Sequence, residues 1–128
     1  MRLLLDTHTL LWWLSEDSAL PNSARRVIAL KSNDVLVSAA SAWEIATKVR
    51  LGRLPMAVDL AHDFTAYLER ERFGSLAISV EHGVQAGLLP GPHMDPFDRM
   101  LIAQALAEDL SIVSNDAQLD GYGAKRVW

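Results

Sequence analysis

Short apolar runs alternate with longer stretches of helical periodicity along this chain. Leu3-Leu4-Leu5 is a brief run that ends at Asp6 and reads as a buried strand. Val35-Leu36-Val37-Ser38, Leu76-Ala77-Ile78 and Ile112-Val113-Ser114 read the same way, and Lys125 to Trp128 reads as a fifth strand at the sheet edge. Between them, Thr7 to Leu14 is predicted as a helix with Thr7 as its cap, and Pro21 suits the first position of a helix running to Leu30. Ser41 to Arg50 is predicted as a helix stopped by Gly52, and Asp59 to Arg70 as another with Asp59 as its cap. Ser79 caps a short helix ending near Gly87. Leu89 to Met94, with Pro90, Gly91 and Pro92, is the clearest loop. Asp95 and Pro96 then open a long helix through Asp109, as cap and first residue.

Strands separated by helices imply parallel pairing, because parallel neighbours need a crossover. Short, wholly apolar strands are expected when both sheet faces are covered. The predicted fold is therefore α/β: one three-layer α/β/α domain over residues 1–128 with a short parallel sheet of four or five strands. In such sheets ligands collect outside the carboxyl ends of the strands. That edge is where chemistry is expected.

Composition narrows the picture. A 14.1 kDa chain of 128 residues folds to a surface of roughly 6,700 Å² from about 20,000 Å² unfolded, enough burial for a real core. Half the residues are hydrophobic and 22% are charged, which excludes a disordered acidic chain, a collagen and a coiled coil. The absence of cysteine excludes disulfide frameworks, thiol nucleophiles and thiolate zinc sites. No signal-peptide core or membrane-length run is present, so a soluble cytoplasmic protein without a membrane partner is expected. The net charge of −4 gives no basic footprint for nucleic acid.

Four acids stand out. Asp6 follows the first strand and Asp116 the fourth. Glu44 lies in the predicted first turn of the helix after the second strand, and Asp98 in the first turn of the long helix. All four fall at the carboxyl edge. At about 5 Å and an effective dielectric of about 20, each carboxylate pair repels by roughly 3 kcal/mol. Either some of them protonate or a cation sits among them. Helix N-termini at Glu44 and Asp98 contribute only about 0.3–1 kcal/mol each. All-oxygen ligation favours Mg²⁺ or Mn²⁺ over zinc. Such an ion acidifies water and neutralises phosphate charge, which makes phosphodiester hydrolysis a natural reaction.

Plainer readings compete for the same residues. Ser41-x-x-Glu44 is also a capping box, and Glu44 makes an i, i+4 pair with Lys48 worth about 0.3–0.5 kcal/mol. Glu44 is expected to point away from the apolar stripe of Ala42, Ile45, Ala46 and Val49, toward a groove or solvent. Asp98 suits a helix dipole, Asp95 is a simple cap, and Asn115-Asp116 favours a turn. Asp6 is hardest to dismiss, since it ends a buried run. His8 and His93 lack the spacing of a histidine metal motif, and no nucleophile elbow or phosphate-binding glycine loop is present. Arg50, Arg53 and Arg99 are candidates for phosphate contacts, with ordinary surface solvation favoured for them. Trp12 and Trp13 read as mostly core.

Four segments together resemble a PIN domain: Leu4-Leu5-Asp6-Thr7-His8 with Trp12-Trp13-Leu14; Ser38 to Ile45; Asp95-Pro96-Phe97-Asp98-Arg99 with Ile102 to Ala105; and Val113-Ser114-Asn115-Asp116. The order and spacing cover nearly the whole chain, and within the family it looks like the VapC toxins. The resemblance implies a Mg²⁺- or Mn²⁺-dependent endoribonuclease acting on single-stranded RNA. Its acidic quartet falls on Asp6, Glu44, Asp98 and Asp116, with Asp6 and Asp98 nearest the metal and Thr7 and Asn115 beside it. It implies a homodimer and a cognate antitoxin that inserts a C-terminal segment into the active-site groove. One departure stands at the fourth acid, where the family often has Thr and Arg before the Asp and this chain has Ser114 and Asn115. Two other readings remain in view: a PIN-like binding module without catalysis, and a receiver-like signalling domain, which would want paired acids at the first strand and an acceptor Asp after the third.

Overall fold

The first strand, β1 (Arg2–Leu5), runs through the centre of the sheet, and the chain builds outward from it on both sides. The computed structural model describes residues 1–92 and 95–128. β1 pairs with β2 (Asp34–Ser38) on one side and with β4 (Ser111–Val113) on the other. β3 (Gly74–Leu76) and β5 (Lys125–Val127) form the edges, giving the order β3-β2-β1-β4-β5 with every pair parallel. The direction of winding therefore reverses between β1 and β4, the crevice where open α/β sheets bind ligands.

Alternation along β1 divides the core. Leu3 and Leu5 face one layer, with Val35, Val37 and Val113. That layer holds α1 (Thr7–Leu14), α2 (Asn22–Ala29) and two short helices, α4 (Val58–His62) and α5 (Phe64–Glu71), which contribute Leu10, Ile28, Leu60 and Leu68. Leu4 and Ile112 face the opposite layer and meet Leu101, Ile102 and Ala105 of α7 (Pro96–Glu108). α6 (Val80–Leu88) lies on α7. α3 (Ala39–Arg50) sends Ile45 to the first core and Ala40 to the second. The three-layer arrangement and the fifth strand match the expectation from sequence.

Several boundaries differ, each for a local reason. α1 begins at Thr7 with Asp6 in the cap position, so Thr7 is a first helical residue and not the cap. Pro21 occupies the cap position before α2, one place earlier than expected. α3 starts at Ala39, capped by Ser38, whose hydroxyl accepts the Ala40 N–H at 3.0 Å. The capping box expected from Ser41 and Glu44 does not form, and Glu44 lies in the second turn. The predicted helix from Asp59 to Arg70 is two helices broken at Asp63, whose N–H is shared between the Asp59 and Leu60 carbonyls at 3.2 Å each. Asp59 sits inside α4 and caps nothing. β3 starts two residues before the predicted run, with Gly74 paired to Leu36, a close approach that glycine allows because a Cβ there would stand 2.7 Å from Leu36 Cδ2. Ala77 and Ile78, apolar but exposed, lead out of the sheet to Ser79. Ser79 caps α6 in a capping box completed by His82. Asp95 caps α7 as expected, accepting from the N–H groups of Phe97 and Asp98. His93, weighed from sequence as a metal ligand, and Met94 lie outside the described residues.

Candidate active site

A cavity of about 350 Å³ opens at the carboxyl edge of the sheet, beside the reversal between β1 and β4. Asp6, Glu44, Asp98 and Asp116 all line it, with His8, Lys48, Asp95 and Asn115. Carboxylates from four separate segments thus share one cavity.

Asp6 arrives first because β1 ends at Leu5 and the Asp6 N–H still bonds the Val113 carbonyl at 3.1 Å, as if the ladder ran one residue further. Its side chain is buried, and Ser114 Oγ donates to Asp6 Oδ2 at 2.6 Å. Burial pushes the Asp6 carboxyl above the ordinary carboxylate range, and the neighbouring Glu44 charge pushes the same way. The Ser114 hydrogen bond, His8 and the Thr7 N–H pull against that rise. Ser114 serves twice, since its Oγ also accepts the Asp116 N–H at 3.0 Å.

Glu44 is buried, not turned to solvent. The inward face of α3 is Ala40, Ser41, Glu44 and Ile45; Ala46 of the predicted stripe is exposed. Thr7 Oγ1, at the start of α1, donates to Glu44 Oε1 at 2.7 Å and lies 3.0 Å from Ser41 Oγ. Lys48 Nζ donates to Glu44 Oε2 at 2.5 Å. The i, i+4 pair noted from sequence is thus a contact within the acidic cavity.

Asp98 and Asp116 are half-buried. Asp98 sits in the first turn of α7, where the helix end favours its charge. Asp116 accepts the Gln118 N–H at 3.0 Å and opens a 3₁₀ turn, Ala117–Tyr122. Asp95, read as a cap alone, also reaches the cavity wall. Of the arginines, Arg99 donates from Nε to the Ala86 carbonyl at 3.1 Å and from Nη2 to the Leu89 carbonyl, tying down the end of α6. Arg50 and Arg53 are exposed, as the solvation reading held, and none of the three lines the cavity. Trp12 and Trp13 are half-buried against the first core, with Trp12 between His8 and Trp128.

The oxygen donors that line the cavity, five carboxylates and the Asn115 amide, suit a hard divalent cation; His8 adds one imidazole, and there is no sulfur. A cation there would also offset the burial cost carried by Asp6. The convergence is looser than a formed chelate, however. Among the described residues, no group of three or more His, Asp or Glu side chains is arranged to hold an ion as it stands. Both Glu44 oxygens and one Asp6 oxygen are engaged by neighbours of the same chain. Loading would require carboxylate rotation and withdrawal of the Lys48 ammonium from Glu44, whereas the Thr7 and Ser114 hydroxyl contacts are compatible with a bound cation.

Sequence reasoning missed one part of this site and one buried polar residue outside it. Ser114 entered only as a departure from a motif, although its place one residue past β4 and two before Asp116 signals a bridging hydroxyl. His82 gave no signal: it is buried, bonds Ser79, and meets Glu108 at 2.9 Å, fixing α6 on α7 away from the acids.

Comparison with known proteins gives a consistent result. The chain is 28% identical over 130 residues to Ribonuclease VapC22 of Mycobacterium tuberculosis, an alignment covering 98% of this chain and 97% of that protein. It is 40% identical over 63 residues to Ribonuclease VapC16 of the same organism, covering 48% and 42%. The fold is similar to that in a crystal structure of VapBC2 from Rickettsia felis bound to a DNA fragment from their promoter (TM-score 0.73, 17% identity, covering 99% of this chain and 98% of that one). It is also similar to the fold in VapBC-1 from nontypeable Haemophilus influenzae (0.68, 15%, 99% and 97%) and in FitAcB from Neisseria gonorrhoeae (0.66, 20%, 98% and 96%). The PIN domain model matches residues 3–125, which sets aside the receiver-like alternative, and the chain belongs to the PIN domain family.

Proposed function

We propose that this chain is a divalent-metal-dependent endoribonuclease cleaving single-stranded RNA, and that it is the toxin of a toxin–antitoxin pair. The observation that carries the reading is the meeting of Asp6, Glu44, Asp98 and Asp116 on one cavity at the carboxyl edge of a PIN fold. The ribonuclease names of its relatives support it. In this reading Asp6 and Asp98 would hold Mg²⁺ or Mn²⁺, and Glu44 and Asp116 would complete the set. The bound ion supplies charge neutralisation at the phosphate and acidifies the attacking water. Glu44 orients that water and takes up its proton. Thr7 and Ser114 fix the directions of Glu44 and Asp6 through their hydroxyls. Asn115, exposed at the rim, is placed to meet the ribose or phosphate.

An antitoxin partner is supported by the structural neighbours, two of which are VapBC structures. A second groove of about 350 Å³, lined by Leu11, Trp12, Leu54, Met56 and Tyr67, shares His8 with the acidic cavity. An extended segment with apolar side chains followed by a basic one suits that pair of surfaces. A homodimer is part of the same reading, supported by the outer face of α6, where Val80, Val84 and Leu88 are 85%, 55% and 78% exposed. The reading treats residues 1–128 as one domain and puts the protein in the cytoplasm with its RNA. Among the described residues no helix is long and apolar enough to cross a membrane.

The test is cleavage of a fluorescent single-stranded RNA by the purified protein in Mg²⁺ or Mn²⁺, with EDTA as control. Cleavage that needs the ion and disappears in Asp6→Asn and Asp98→Asn is the expected result. RNA left intact by wild type under all these conditions would favour a PIN-like binding module instead.

A further inference from the structure

Lys48 is the ammonium among the described residues that line the acidic cavity, and the proposed chemistry gives it no task. It sits one turn beyond Glu44, near the end of α3, where a helix favours a cation. Helical side chains lean toward the N-terminus, so its stem runs back along α3 and sets Nζ 2.5 Å from Glu44 Oε2. The two ends of this contact differ in environment. The Glu44 side chain is 5% exposed, whereas that of Lys48 is 32% exposed. The carboxylate is fixed in place, further held by Thr7, while the ammonium has an open path to water.

A divalent ion and an ammonium cannot share one carboxylate oxygen without strong repulsion at such short range. We propose that Lys48 is the resident cation of the cavity: it neutralises Glu44 until a divalent ion enters, and must swing out to solvent for that ion to reach Glu44 beside Asp6. Lys48 thereby sets how tightly the cavity takes up metal. It keeps a buried carboxylate from standing uncompensated, a costly arrangement, and makes loading a cation exchange. It is a positioning residue, acting through Glu44. The inference rests on the proposed metal site, and the experiment separates the two.

Mn²⁺ alone, without RNA, is titrated calorimetrically into the full-length wild type, Lys48→Met and Lys48→Arg. Lys48→Met removes the competing charge at similar length, and its Kd for Mn²⁺ should fall by about tenfold or more. Lys48→Arg keeps the charge and should stay near wild type. Equal affinity in wild type and Lys48→Met, or weaker binding in Lys48→Met, overturns the role of Lys48 while leaving the metal site standing. Absence of uptake in both overturns the site and this inference together. Should Lys48→Met not fold, the wild type answers through its ¹⁵N-labelled lysine ammonium signals. The Lys48 resonance should be protected from exchange in EDTA and lose protection at saturating Mg²⁺. An unchanged resonance overturns the proposal.

Discussion

Ser114 donates a 2.6 Å hydrogen bond to Asp6, joining the first residue after β1 to the first residue after β4 across 108 positions of chain. Both residues are buried, so the contact is shielded from water. The same oxygen accepts the Asp116 N–H, making one hydroxyl the hinge between two acids. Ser114→Ala should therefore cost about 1–3 kcal/mol of stability and loosen both carboxylates. Chemical denaturation checks the first effect. A drop in Mn²⁺ affinity beside it checks the second; unchanged affinity would mean that Asp6 is held by other contacts.

Replacing the acids should separate chemistry from folding. Asp98→Asn should abolish RNA cleavage and keep a cooperative melt. Glu44→Gln should slow cleavage by roughly 10²–10⁴-fold, the usual range for loss of a general base. Mg²⁺ should raise the Tm of the wild type and leave that of an Asp6→Asn, Asp98→Asn double variant unmoved. An equal rise in both would move the ion elsewhere on the protein.

The raised pKa of Asp6 gives a signed pH dependence in EDTA. Burial holds the proton on Asp6 more tightly in the folded chain than in the unfolded one, where the ordinary value is 3.8. Above that value the folded state keeps a proton that the unfolded chain has lost, and the stability contributed by the neutral carboxyl is lost as pH rises through the folded pKa. Asp6→Asn cannot ionise. Its Tm advantage over wild type should be near zero below pH 3.8 and grow toward neutrality. A constant difference across that range would show that burial does not govern this carboxyl.

The outer face of α6 offers a test of assembly. Val84→Asp with Leu88→Glu puts charge where two apolar side chains face water, so neither change disturbs the core. Wild type should sediment as a dimer and this variant as a monomer with unaltered helix content. A variant that remains dimeric would place the contact on another surface.

Much of this was legible in the residues. The strand and helix alternation determined a parallel sheet, and acids at the ends of β1 and β4 and at the start of α7 reached the expected edge. What failed to show was governed by tertiary contact. Apolar character placed the third strand on Ala77 and Ile78, but the pairing of Gly74 with Leu36 decides its register. The stripe rule left Glu44 facing either a groove or solvent, and the choice between them rests on the Thr7 and Lys48 contacts, which periodicity cannot foresee. The break at Asp63 carries no proline or glycine to announce it.

The place of β4 beside β1 has a consequence for synthesis. Asp6 leaves the ribosome 108 residues ahead of Ser114, the neighbour that orients its carboxylate. A chain that stops before β4 lacks both Ser114 and Asp116, so its Asp6 carboxylate has neither the hydroxyl that orients it nor the acid that shares its cavity.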